Sequence, residues 1–165
     1  MNFRELKRIV LGSKAKMVYS PMNGEVFPLA KSKDPVHRKK MLGKGVLIIP
    51  REGNVFAPFD GKVEMVYETQ HALGLVSDDG VELMIHVGLD TVKLNGKHFK
   101  AHVKNGQKIN KGDLLLEFDI EKIISEGYEI EIPIIITNTA DYSSIEILAK
   151  GTISINEEMI IIYSQ

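Results

Sequence analysis

The chain contains no cysteine. Disulfides, thiolate catalysis and cysteine-type zinc sites are therefore excluded, and the chemistry falls to other side chains. Apolar runs of membrane length are also missing: "IPIIIT" from Ile132 and "MIIIY" from Met159 are strand-sized, against about 20 residues for a bilayer span. Both read as buried strands. Charge of one sign is not in excess, with 21 basic against 22 acidic residues and a formal net charge of −1, so no general electrostatic reason exists to bind nucleic acid or anionic lipid. The first residues, "MNFRELKRIVLG", lack the continuous apolar segment of a signal peptide. A cytoplasmic location is the resulting expectation. No linker-like stretch divides the chain.

What the chain does have is turns. Its 165 residues, 44% hydrophobic and 26% charged, suit one soluble domain that hides roughly 70% of its unfolded surface. From Lys16 to Asp119, β-rich runs alternate with Asn23-Gly24, Asp60-Gly61, Asp79-Gly80, Asn95-Gly96, Asn105-Gly106 and Lys111-Gly112, the spacing of an all-β sandwich or barrel. Two segments, "SPMNGEVFPL" from Ser20 and "APFDGKVEMV" from Ala57, resemble each other and imply a duplicated strand-turn-strand unit. The expected fold is thus an all-β, barrel-like sandwich built on that duplication, with short peripheral helices. Helices are expected at 96–103, 120–127 and 141–149, the second ending in Gly127 and the third capped by Asp141. Residues 1–15 read as an N-terminal amphipathic segment ahead of a single domain over 16–165. Phe3, Leu6 and Val10 at helical spacing among Arg4, Lys7 and Arg8 suggest a weak membrane-surface contact through residues 1–11.

The stretch "TQHALGLVSDDGVELMIHVGLDTV" from Thr69 sets two histidines on either side of a Ser-Asp-Asp-Gly turn. In a strand "VELMIHV", Val81, Leu83, Ile85 and Val87 form an aliphatic core face, and Glu82, Met84 and His86 look the other way. In the preceding strand His71, Leu73 and Leu75 share a face. A four-residue loop, Ser77 to Gly80, sets His71 opposite His86; a two-residue turn leaves them diagonal on one face, and a three-residue loop separates them. Two of these three turns bring the imidazoles together on an exposed face, with Leu73, Leu75 and Met84 as an apolar surround. Two adjacent protonated imidazoles repel, so at least one stays neutral near pH 7, available as a nucleophile or metal ligand. Thr69 is placed to fix the His71 tautomer, and the Gly88 carbonyl to do the same for His86.

These residues lie within motifs, "GKGVLIIP", "APFDGKV", "ETQHA", "DDGVELMIHVGLDTVKLNGKHF" and "NGQKINKGDLLLEFD", that resemble the glucose-type enzyme IIA component of the bacterial phosphoenolpyruvate-dependent sugar phosphotransferase system. The resemblance covers nearly everything from about Ser20 onward. It implies a phosphocarrier in a β-sandwich fold, with His86 as phosphoryl acceptor, His71 as the second histidine contacting the phosphoryl group, and Thr69 holding His71. It implies acidic flanks at Asp34 and Asp90, and a docking rim to which Met84, Leu73, Leu75 and Val92 are assigned. The implied partners are the phosphocarrier HPr and the IIB domain of a sugar permease, with no cofactor. The departures are His37, where related sequences often carry an aromatic or aliphatic residue, and the basic run "KSKDPVHRKK".

Other constellations are weaker. "HFKAH" sets His98 and His102 four apart on an expected helix, but Phe99 stands where zinc peptidases have their glutamate. Zinc at His71 and His86, as in related-fold endopeptidases, lacks the third ligand of a catalytic site; adventitious zinc there is the lesser form. A zinc-dependent hydrolase or a regulatory binding module of the same fold remains the alternative function. The run from Val103 to Leu115 suggests a lipoyl or biotinyl carrier, yet "SDDG" offers no lysine to modify. No phosphate-loop or G-x-S-x-G motif is present.

Overall fold

The computed structural model describes Asn2, Phe3, Leu6 and residues 15–164. Most of the expected amphipathic segment at 1–15, Val10 included, lies outside the described residues. Phe3 and Leu6 have helical backbone and are exposed.

The chain order is β1 (Ala15–Tyr19), β2 (Gly24–Pro28), α1 (Pro35–Arg38), β3 (Lys44–Pro50), β4 (Asn54–Phe56), β5 (Gly61–Val66), β6 (Ala72–Ser77) and β7 (Glu82–His86). It continues with β8 (Phe99–Ala101), β9 (Lys108–Ile109), β10 (Leu114–Phe118), α2 (Ile120–Ser125), β11 (Ile132–Ile136), β12 (Tyr142–Ile147), β13 (Gly151–Ile153) and β14 (Glu158–Ser164). An eight-stranded sheet runs β13-β2-β3-β11-β7-β6-β5-β9, and two three-stranded sheets run β1-β14-β12 and β4-β10-β8. Every pairing is antiparallel. The β-rich fold with short peripheral helices is the one expected. Among the described residues no helix is long and apolar enough to cross a membrane.

β11 and β14 are buried on both faces from Ile132 to Ile136 and from Met159 to Tyr163, which is why their sequences are continuous apolar runs rather than alternating ones. The short helices are set locally. Asp34 caps α1 by accepting the Val36 N–H at 2.9 Å, with proline at the first helical position. Asp119 caps α2 by accepting the Lys122 N–H at 3.0 Å, and the turn closes at Gly127 with φ 94°. Two expected helices are corrected. Residues 96–103 contain β8, because His98 takes φ 76° and Phe99 then pairs with Phe118. Residues 141–149 contain β12, whose Ile145 and Ile147 pair with Ile162 and Ile160 of β14.

The two similar segments do equivalent work. Each carries a Pro-x-(Asn/Asp)-Gly turn into a strand, β2 and β5, and the two turns grip each other: Tyr19 N–H donates to Pro58 C=O at 3.0 Å and Phe56 N–H to Pro21 C=O at 2.7 Å. Their glycines are matched in space as well. A Cβ on Gly24 falls 2.4 Å from Ile49 O, and one on Gly61 falls 2.1 Å from Val76 O. Both targets are backbone, so neither gives way. Gly24→Ala and Gly61→Ala are each expected to lower stability by about 1–3 kcal/mol through forced backbone separation; urea unfolding of the two variants checks this, and an unchanged midpoint in both contradicts it.

Candidate functional site

On β7, Leu83 and Ile85 turn to the core, while Glu82, Met84 and a half-buried His86 occupy the other face, as expected. The neighbouring β6 departs from expectation. Leu73 and Leu75 are 0% exposed and lie opposite Ile85 and Leu83, so they belong to the core and not to a docking rim. The hairpin loop is the reason. Ser77 N–H donates to Val81 C=O at 2.9 Å, and Val81 N–H donates back to Ser77 Oγ at 2.8 Å. Asp78, Asp79 and Gly80 are left as a three-residue loop, which sets Ala72 opposite His86.

That is the register expected to separate the histidines, yet their rings meet edge to face, centroids 4.8 Å apart and planes at 82°. The alternation rule stops one residue short of His71. β6 begins at Ala72, and His71 lies in a bend behind Gln70, whose φ is 57°. The bend is fixed by Gln70 N–H to Tyr67 C=O at 2.7 Å and by Ala101 N–H to the Gln70 side-chain oxygen, also 2.7 Å. His71 is also buried rather than exposed, at 3% accessibility, with the Tyr67 ring edge-on at 5.5 Å.

Thr69 Oγ1 and His71 Nδ1 share a hydrogen bond of 2.5 Å, so the orienting contact expected of Thr69 is present. Burial pushes the His71 imidazole below its ordinary pKa. His86 is pushed further, to about 4, first by burial and then by the neighbouring His71 and His37, against smaller opposing effects from the Gly88 backbone and Asp34. His86 is consequently neutral across the physiological range. Nδ1 of His86 is buried and has no hydrogen bond of ordinary geometry, while the Gly88 backbone lies close enough to oppose the downward shift as a hydrogen-bond acceptor does, in the sense expected of its carbonyl. Gly88 also serves the loop. It takes φ 85°, donates its N–H to Glu131 C=O at 3.0 Å, and a Cβ there falls 2.4 Å from Thr91 Cγ2. Asp90 and Val92 follow on this loop, both exposed.

A third histidine joins the pair. The His37 ring on α1 is 5.8 Å from that of His86 and 6% exposed. Asp34 stands 3.6 Å from its Nδ1. A buried carboxylate ties down the approach to α1, because Glu131 accepts from Ser32 Oγ at 2.5 Å and from Lys33 N–H at 2.9 Å. Sequence reasoning marked His37 only as a departure and missed Ser32 and Glu131; a Ser-x-Asp-Pro run ahead of a histidine was the one signal for a capped turn there. His98 and His102 lie elsewhere, on β8 and its flanks, contacting Glu126 and, at 2.6 Å, Glu117. Among the described residues no group of three or more His, Cys, Asp or Glu side chains is arranged to hold a metal ion.

Residues 16–142 match the protein family described as phosphoenolpyruvate-dependent sugar phosphotransferase system, EIIA 1. The chain belongs to this family. The structure of a glucose permease IIA from Mycoplasma capricolum is similar, with a TM-score of 0.84, 34% sequence identity, and coverage of 90% of this chain and 96% of that one. The EIIA chain is accordingly a phosphocarrier domain that passes phosphoryl groups in sugar uptake, as its sequence motifs implied. The hydrolase alternative finds no support in this match.

Protonation of His86 should limit stability in acid. Its folded pKa, about 4, lies below the unfolded value near 6.5, so the unfolded chain binds the extra proton and stability rises with pH across that window. Full stabilisation is present above about pH 6.5 and is lost as pH falls toward 4, amounting to at most about 3 kcal/mol. Unfolding free energies measured from pH 4 to 7 should show this slope in the native chain and a flatter one in His86→Gln; equal slopes contradict it.

Proposed function

We propose that His86 is the acceptor, taking its phosphoryl group from phosphorylated HPr and giving it to the IIB domain of a sugar permease, and that residues 16–165 form the carrier domain. The observation supporting this is a neutral, half-buried imidazole with a second imidazole packed edge-on at 4.8 Å. Attack on phosphorus needs a nitrogen lone pair, which a neutral ring supplies and a protonated ring lacks. The pair on the attacking nitrogen forms the new P–N bond as the old one breaks, and its electrons return to the donor imidazole. Little remains for the protein beyond positioning and charge neutralisation. Of the two nitrogens of His86, Nδ1 is buried, which favours Nε2 as the attacking atom.

His71 is the stabilising donor. With the Thr69 hydroxyl donating to Nδ1, the Nε2–H of His71 is left to bond a phosphoryl oxygen. The rim that meets both partners consists of Met84, Val92, Asp34 and Asp90, together with the exposed apolar side chains Val36, Met41 and Leu42 on the segment after Asp34. Transient docking through such a rim excludes water during transfer and still permits release.

Incubation with phosphoenolpyruvate, enzyme I and HPr, followed by intact mass measurement, should add one phosphoryl group that is lost in mild acid and retained in alkali, as for a phosphohistidine. His86→Ala should take up none. His71→Ala should still be labelled, on the order of tenfold to a hundredfold more slowly, because one charge-stabilising donor is gone. Normal labelling of His86→Ala sinks the assignment.

A further inference from the structure

We propose that His37 is a third imidazole of the carrier site, which takes up a proton from solvent when a phosphoryl group arrives on His86 and so balances part of that group's charge. The inference rests on the reading of His86 as acceptor. Its geometric basis is a buried ring 5.8 Å from the His86 ring, carried on a turn tied in place by hydrogen bonds. Asp34 caps that turn and Glu131 latches the two residues before it.

The surroundings leave His37 one charge to answer and one nitrogen to answer with. Its Nδ1 is buried and makes no hydrogen bond, while Asp34 Oδ2 stands 3.6 Å away, just beyond bonding distance. A protonated ring would donate there. Of the other charged groups around the turn, Lys31, Lys39 and Lys40 are exposed to solvent, and the rest are engaged elsewhere. Arg38 directs its guanidinium to the carbonyls of Ser32 and Lys33 at 3.2 and 3.4 Å, Lys33 Nζ pairs with Glu129 at 2.7 Å, and the Glu131 carboxylate binds Ser32 and the Lys33 N–H. From β7 and the bend before β6 the facing groups are His86 and His71, both shifted toward the neutral form. Asp90 is exposed on the loop that follows β7.

A phosphoryl group brings nearly two negative charges at pH 7. At a separation of the order of the 5.8 Å between the two rings, in a site of intermediate effective dielectric, each charge is strong enough to shift a proton equilibrium by more than about tenfold. The transfer itself keeps its own balance, since the lone pair of His86 makes the new bond and the donor ring keeps the old pair. The proton on His37 comes from water and returns there when the phosphoryl group leaves. By linkage, phosphorylation and proton binding must favour each other equally.

The test is a histidine NMR titration of the full chain, unphosphorylated and then maintained in the phosphorylated form by phosphoenolpyruvate, enzyme I and HPr. His37→Phe supplies the assignment. The His37 titration midpoint should move up by at least about one pH unit on phosphorylation. The phosphorylated fraction at equilibrium should rise between pH 8 and pH 6 by up to about tenfold more in the native chain than in His37→Phe. A midpoint that moves less than about 0.3 unit in protein weighed as phosphorylated overturns the inference while leaving His86 as acceptor, as does an unaltered pH dependence in a folded His37→Phe. The midpoint reading uses the native chain, so it stands if the variant does not fold. Failure of the native chain to gain phosphoryl mass overturns the acceptor reading and this inference with it.

Discussion

An imidazole is a nucleophile only while one ring nitrogen keeps its lone pair, and most of what surrounds His86 serves that condition. Desolvation against the outer face of β7, reinforced by two imidazoles that resist a further positive charge, holds the ring neutral far below its ordinary titration range. The same arrangement weakens the fold in acid, because an unfolded histidine accepts the proton more readily. Reactivity at the site and loss of stability at low pH are therefore one free-energy difference seen from two sides. His71 illustrates the requirement for rigidity: a single 2.5 Å hydrogen bond with Thr69 and a left-handed residue at Gln70 hold a buried ring edge-on against His86.

The duplicated unit explains why three histidines converge. β2 and β5 are its two copies, each paired in a hairpin with the next long strand of the eight-stranded sheet, β3 and β6, and these hairpins flank the central β11 and β7. The copies differ in what links each strand to its partner. The first link is long, passes through a capped helical turn and carries His37; the second is the tight bend that carries His71. Both links deliver an imidazole beside the end of β7, where His86 sits. The turn glycines allow the close strand approach on which this arrangement stands.

Legibility in the sequence followed the range of the interactions involved. Alternation in β7, the turn glycines, the Gly127 stop of α2 and the repeat are local patterns, and each was readable. The hairpin register was not, because it depends on the Ser77 hydroxyl closing a three-residue loop; parity then put Leu73 and Leu75 on the wrong face. Parity also failed to describe His71, which lies beyond the strand it was counted along. β8 and β12 read as helices because Asp141 resembles an N-cap and His98 with His102 has helical spacing, while their strand partners, Phe118 and Ile162 for example, are remote in sequence. His37 stood out by identity alone. Its neighbour His86 is 49 positions away (86 − 37), and nothing local predicts that contact.

Among the described residues, the side chains absent from contact with His86 are as informative as those present. A carrier must bind its phosphoryl group well enough to take it from one partner and weakly enough to surrender it to the next. A guanidinium is permanently charged and grips phosphate through paired hydrogen bonds, which would deepen the bound state irrespective of whether a partner is docked. Arg38, one residue from His37, is turned away onto the carbonyls of Ser32 and Lys33. Imidazoles differ in being uncharged at rest and able to gain charge in response to the group they face. On the roles proposed for His86 and His37, a site built from such groups offers positive charge mainly while a phosphoryl group is present, which keeps the bound state from deepening between partners.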